Sequence, residues 1–353
     1  MAQDYVHVYG VNVAFYWTWG GLHTYEYGSF GYYLFWLIES ICMVSVNAFV
    51  LITGYYGIKS RFKLSRIIRF YLEVVFFSMV CTIIAKLFSG GAVGMKEWAY
   101  AIMPLTSKRY WFASNYALLL FIQPMINLFI KNIDKKTYRR FILIQLLLFS
   151  LIPTFLIWNR EFAGTGMDII WFLILYFTGA YVHHYGLSFK GNRWFLLYIL
   201  FVSLLYVSDV VIIPGLAKAV IGVPIGIGVF NYYNTIFVFL GSICFFMMFV
   251  QTEENRLIEN SRGMVLFTGI GTYAFGAYLI SDHRVIRNIL WEKINIVGIS
   301  ENPIVVLLYM ISVNIVIFLI GVILDWIIKH LISNKSLEKI FTKIDGKMNS
   351  IIN

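Results

Sequence analysis

The sequence predicts an all-α fold, a polytopic integral membrane helical bundle of about nine to ten transmembrane helices, and three observations carry that prediction. Hydrophobic residues make up 60% of the chain and charged residues only 13%, whereas soluble globular domains carry about 25% charged residues. Apolar runs long enough to cross a bilayer recur along the chain without polar linkers between them. Lysines and arginines collect in short clusters between those runs, as topology-setting loops require.

The apolar runs lie at about 31–53, 67–88, 110–130, 140–158, 168–186, 193–213, 232–250, 264–281 and 304–328. Alternating the connections puts 54–66, 131–139, 187–192, 251–263 and the C-terminal tail on one side of the membrane. That side carries Lys59, Arg61 and Lys63, then Lys131, Lys135, Lys136 and Arg139, so it is expected to be cytoplasmic. Residues 1–14 lack the basic start of a cleavable signal, and 5–22, with Val6, Val8, Val11, Val13, Phe15 and Trp17, is expected to form all or part of a tenth span. Domain organisation reads as one membrane domain over 1–334 and a cytoplasmic amphipathic tail over 335–353. In that tail Leu337, Ile340, Phe341, Ile344, Met348 and Ile351 recur at helical spacing opposite Lys339, Lys343 and Lys347, which fits a helix on the inner leaflet.

Composition and motifs exclude several classes. The net charge of +10 sits in interhelical clusters and is explained by topology and membrane lipid, so no nucleic acid partner is indicated. Cys42, Cys81 and Cys244 lie inside apolar runs without CxxC or Cys/His spacing, which indicates neither a disulfide framework nor a metal site. The adjacent His183 and His184 lack a third ligand. No phosphate-binding GxxxxGK loop, HExxH or GxSxG nucleophile elbow occurs.

Candidate functional residues fall into four groups. In GIKSRFKLSRIIRFYLEV, Lys63, Arg66 and Arg69 recur every three residues as a helix begins; such an arc matches the phosphates of an anionic donor such as a coenzyme A thioester, and a positive-inside loop also accounts for it. Glu73, four residues after Arg69, is expected to pair with it within the helix. Glu39 sits inside an apolar run and forms a polar stripe with Ser40 and Asn47; a carboxylate there faces the bundle interior or a wet cavity. Lys108, Arg109, Tyr110 and Trp111 meet at a membrane boundary with Asn115 and Tyr116 a turn deeper, the pattern of an aromatic belt with basic anchors. At the end of the eighth run Asp282, His283, Arg284 and Arg287 gather; His283 is a candidate base with Asp282 to orient it, and His23 is a second candidate.

The order of FGYYLFWLIES, VSVNAFVLITGYYGIKSRFKLSRIIRFYLEV, YWFASNYALLLFIQPMINLFIK, YFTGAYVHHY, FNYYNTIFVFLGSICFF and TYAFGAYLISDHRVIRNILW, from about Gly20 to Lys329, resembles membrane-bound acyltransferase family 3, the bacterial O-acyltransferases that modify surface polysaccharides. The resemblance implies a ten-helix bundle in the inner membrane that transfers groups other than amino-acyl groups. It implies no bound cofactor, an acyl-CoA such as acetyl-CoA as co-substrate, and a polysaccharide or lipid-linked glycan as acceptor. Lys63, Arg66 and Arg69 would hold the donor phosphates, and Glu39, Asn47, Trp111 and Tyr116 would line the cavity.

The chain departs from that family in two places. Aligning Gly20 and Gly21 with the family's glycine pair puts Phe15 where the first-helix histidine belongs, with no arginine upstream, and Ser281 stands where relatives have another histidine. Three explanations are open: an N-terminal helix that is atypical or truncated, replacement of the base by His23 or His283, or loss of catalysis. A transporter or flippase of a glycan intermediate would use the same basic mouth and buried Glu39.

Overall fold

Pro153 and Pro214 show how the sequence shapes these helices. Proline has no amide hydrogen and its ring crowds the carbonyl four residues back. In the computed structural model, both prolines stand two residues past the end of a widened π-helical segment, Leu147–Leu151 and Val207–Ile212, which accommodates the ring within a continuous rod. The structure describes residues 25–88, 93–156, 160–187, 192–223, 229–254, 270–287 and 300–352.

Along the chain run α1 (Phe30–Cys42), α2 (Ser45–Gly57), α3 (Leu64–Phe88), α4 (Met95–Ile102) and α5 (Trp111–Lys131). They are followed by α6 (Lys135–Phe155), α7 (Ile169–Tyr185), α8 (Arg193–Ile221), α9 (Ile236–Glu254), α10 (Phe275–Ser281), α11 (Pro303–Ile332) and α12 (Lys335–Ile352). Among the described residues no strand occurs. Six helical stretches among the described residues are long and apolar enough to cross a membrane: α1 with α2, α3, α5, α6, α8 and α11; α7 and α9 are shorter apolar helices. Every apolar run of the sequence therefore contains helix. The eighth run is described only in part, as α10, and the tenth span expected over 5–22 lies outside the described residues.

The chain divides into two compact units interleaved in sequence. One comprises Tyr25–Ser60 and Ile122–Asn260. Within it α2 lies against α7 at Gly54 and Gly179, where a Cβ would collide with the carbonyls of Tyr176 and Leu51 respectively. Small residues at such positions let membrane helices approach backbone to backbone. The end of α2 is tied down by side chains: the Gly57 carbonyl accepts from Gln123 Nε2 at 2.8 Å and Asn127 Nδ2 at 3.0 Å, and Tyr176 donates to Asn127 Oδ1 at 2.7 Å. The Ser60 amide reaches the same carbonyl at 3.0 Å, so backbone and side chains together close this helix end.

The other unit comprises Arg61–Phe121 and Ser261–Asn353. Gly276 of α10 and Gly321 of α11 repeat the close approach, each leaving no room for a Cβ. Val74, Phe77, Tyr110, Leu279, Ile328, Ile332 and Phe341 form its core. Along α11 the exposed positions Leu308, Ile311, Ile315, Leu319 and Ile323 are apolar, a face that suits hydrocarbon rather than water.

Candidate functional site

The first turns of α3 build the site. Lys63 precedes the helix, and Arg66 and Arg69 follow at one-turn intervals, so the three cations share one side of it. Together with Ser65, Phe70, Glu73, Tyr116, Leu120 and the α12 residues Glu338, Phe341, Thr342 and Asp345, they line a cavity of about 530 Å³. The aromatic wall is ordered by ring contact, with Phe70 and Tyr116 centroids 5.3 Å apart. Three cations and three acidic side chains, Glu73, Glu338 and Asp345, thus stand around one cavity with aromatic rings beside them.

Glu73 is in the cavity wall but does not make the pair with Arg69 that the sequence spacing predicts. Arg69 Nη2 meets Glu338 Oε2 at 2.7 Å, while Glu73 Oε1 lies 3.7 Å from Lys329 Nζ. Lys329 Nζ also donates to Asp325 Oδ2 at 2.8 Å and to the Thr272 carbonyl at 2.7 Å. A closer cation from α11 thus replaces the intrahelical partner. One ammonium between two buried carboxylates was invisible to local spacing, since Glu73 and Lys329 are far apart in sequence.

His283 is fully buried just beyond α10. Its Nδ1 accepts from the Ile286 amide at 3.2 Å, so the ring proton belongs on Nε2, which faces Thr82 Oγ1 at 3.4 Å. Burial holds the imidazole well below its ordinary pKa, and the Arg109 charge pushes the same way. The ring is neutral, with its one lone pair committed to the backbone. Asp282 Oδ1 accepts from Arg287 Nη1 at 3.3 Å and does not orient the His283 ring, both of whose nitrogens have other neighbours. A general base needs a lone pair aimed at the substrate; His283 would have to release the Ile286 amide first. His23 lies outside the described residues.

Glu39, Ser40 and Asn47 do point inward together. Asn231 Nδ2 donates to Glu39 Oε1 at 3.2 Å, Asn47 Nδ2 to the Tyr233 carbonyl at 2.8 Å, and Trp171 Nε1 to Asn47 Oδ1 at 3.0 Å. This polar core belongs to the unit containing α2 and α7, whereas Trp111 and Tyr116 belong to the unit containing α3. Of those two, Tyr116 lines the cationic cavity, and Trp111 packs edge-on against Phe112 with centroids 5.9 Å apart. Arg109, read from sequence as an interfacial anchor, is instead buried and ion-paired, with Nη2 2.6 Å from Glu97 Oε2 and Nη1 donating to the Glu97 carbonyl at 2.9 Å. Burial lowers its pKa while Glu97 raises it.

Sequence reasoning missed Ser65, Glu338 and Asp345. A signal was present: Glu338, Phe341, Thr342 and Asp345 recur at helical spacing along one face of α12, distinct from the lysine face.

No curated protein and no solved structure gives a significant match to this sequence. The family model described as an acyltransferase domain matches residues 6–322, most of the chain. With apolar spanning helices throughout that stretch, the chain belongs to acyltransferase family 3 and is a multi-pass membrane acyltransferase.

Proposed function

We propose that this acyltransferase takes an acyl group, most simply acetyl, from an acyl-coenzyme A on the cytoplasmic side and delivers it to a hydroxyl of a surface polysaccharide or glycan precursor. The observation that carries this reading is the cavity at the start of α3, with Lys63, Arg66 and Arg69 on its wall. Arginine forks match phosphate oxygens in pairs and lysine adds a point charge. The donor carries phosphates at one end and the acyl thioester at the other, so anchoring the phosphates here leaves the thioester arm free to extend along the aromatic wall. The basic clusters at Lys59–Lys63 and Lys131–Arg140 support a cytoplasmic orientation for the loops that carry them, by the positive-inside rule.

In the transfer, the acceptor hydroxyl oxygen attacks the thioester carbonyl, the new C–O ester bond forms, the C–S bond breaks, and coenzyme A leaves as thiolate and takes up the hydroxyl proton. A base relays that proton; His23 and His283 are the candidates, and the commitment of His283 Nδ1 to the Ile286 amide favours His23. Glu39 and Asn47 remain candidates for ordering the path through their own unit.

Charge reversal at Arg66 and Arg69 tests the donor site. The double variant, correctly inserted and monodisperse, is expected to lose coenzyme A binding; unchanged binding would remove the assignment.

A further inference from the structure

Two of the acidic side chains that line the cavity come from α12. Glu338 of α12 pairs with Arg69 at 2.7 Å. Asp345, two turns further along α12, accepts from the Ser65 amide at 2.9 Å and from the Ser65 hydroxyl at 2.6 Å. Ser65 is the second residue of α3, so its amide is one of the four that a helix start leaves unbonded. An oxyanion held by a helix-start amide and a hydroxyl, with arginines one turn away, has the surroundings that proteins offer to phosphate.

Between these acids Phe341 is buried beneath Arg69, whose guanidinium lies 4.2 Å from the ring centroid. Leu337 and Ile344 pack against the same core. Part of the apolar face read from sequence as leaflet-bound therefore docks on the protein, and Lys339, Lys343 and Lys347 face outward. The Arg69–Glu338 pair is itself solvent-facing, with side-chain exposures of 29% and 48%, and exposed pairs are weak enough to exchange partners.

We propose that Glu338 and Asp345 are intramolecular stand-ins for the donor's phosphates. Donor entry displaces α12 from the mouth, and Ser65 becomes a further phosphate ligand beside Lys63, Arg66 and Arg69. This rests on the donor-site reading above. It makes α12 a competitor whose release the donor must drive, so the apparent dissociation constant is the intrinsic one divided by the fraction of molecules in which α12 is undocked.

The test is equilibrium binding of coenzyme A to the full chain in nanodiscs, for the wild type, Glu338→Gln/Asp345→Asn, Ser65→Ala and Arg66→Ala/Arg69→Ala, together with hydrogen exchange of α12. The isosteric double variant is expected to bind roughly fivefold to tenfold more tightly, the size of effect that losing one or two exposed charged contacts gives. Ser65→Ala is expected to bind more weakly, and saturating coenzyme A to speed exchange across 335–352. Weaker or equal binding by Glu338→Gln/Asp345→Asn, or slowed exchange of α12, would overturn the inference while leaving the donor site standing, because the acids would then complete the site rather than compete for it. Undiminished binding by Arg66→Ala/Arg69→Ala would instead remove the donor site itself, and this inference with it.

Discussion

Lys329 and Asp325, one helical turn apart on α11, are joined at 2.8 Å with Asp325 fully buried, and the same ammonium serves Glu73 of α3 at 3.7 Å. One ammonium therefore lies between two acidic side chains in a low-dielectric site. Removing one partner of a buried charge cluster costs about 3–5 kcal/mol, because the remaining charges stay desolvated. Lys329→Met is expected to lower the thermal midpoint of the detergent-solubilised protein strongly, and Lys329→Met combined with Asp325→Leu to recover part of the loss. Equal midpoints for Lys329→Met and wild type would show that the carboxylates need no cation.

The packing of α2 on α7 yields a steric prediction. A Cβ at Gly54 would overlap the Tyr176 carbonyl, a backbone atom that cannot rotate away. Gly54→Val is expected to cost at least the 1–3 kcal/mol of an overpacked core, read as a drop in monodisperse protein recovered from membranes. Gly346→Ala, at a position with open space around it, is the matched control and should be recovered like the wild type.

Glu39 separates structural from catalytic duty. Asn231 donates to its carboxylate in a buried setting, so Glu39→Leu strands a buried donor at a cost of about 1–3 kcal/mol. Glu39→Gln keeps an acceptor for Asn231 and should fold at near wild-type stability. Should Glu39→Gln fold normally yet fail to transfer acyl groups, the carboxylate itself serves the reaction; normal turnover assigns it to packing.

His283 gives a pH prediction whose sign follows from linkage. Its folded pKa lies below the ordinary imidazole value near 6.5, so the unfolded chain binds a proton that the folded chain refuses. Stability from this group is fully present above about pH 6.5 and falls as the pH drops below it, by up to about 1.4 kcal/mol per pH unit for one proton. Thermal midpoints measured from pH 8 to pH 5 should decline less steeply in His283→Gln than in the wild type. Parallel declines would show that His283 titrates normally.

Much of the architecture was legible in the sequence because a bilayer imposes a length and a hydrophobicity on each span: the runs at 67–88 and 110–130 reappear as α3 and α5 within a few residues. The arc of Lys63, Arg66 and Arg69 was legible for a similar reason, since three-residue spacing on a helix fixes a common side. What escaped were partners contributed by distant segments. Glu73 was given to Arg69 because the spacing allowed it, but Lys329 competes from α11. Arg109 passed for an interfacial anchor because Glu97, twelve residues away, gave no periodic sign of the pairing. In the tail, the lysine stripe and the apolar face point to the membrane, whereas Glu338 and Asp345 meet partners on α3 that no local spacing reveals.

Acyl transfer from a donor anchored at the start of α3 is measured with radiolabelled acetyl-coenzyme A in proteoliposomes containing the purified chain and an added polysaccharide. Wild-type protein should move label to the polysaccharide, His23→Ala should abolish the transfer, and Arg66→Glu/Arg69→Glu should reduce it to the level of empty liposomes. Label no higher with the wild type than in empty liposomes, or transfer undiminished in the arginine variant, would contradict transfer from a donor held there.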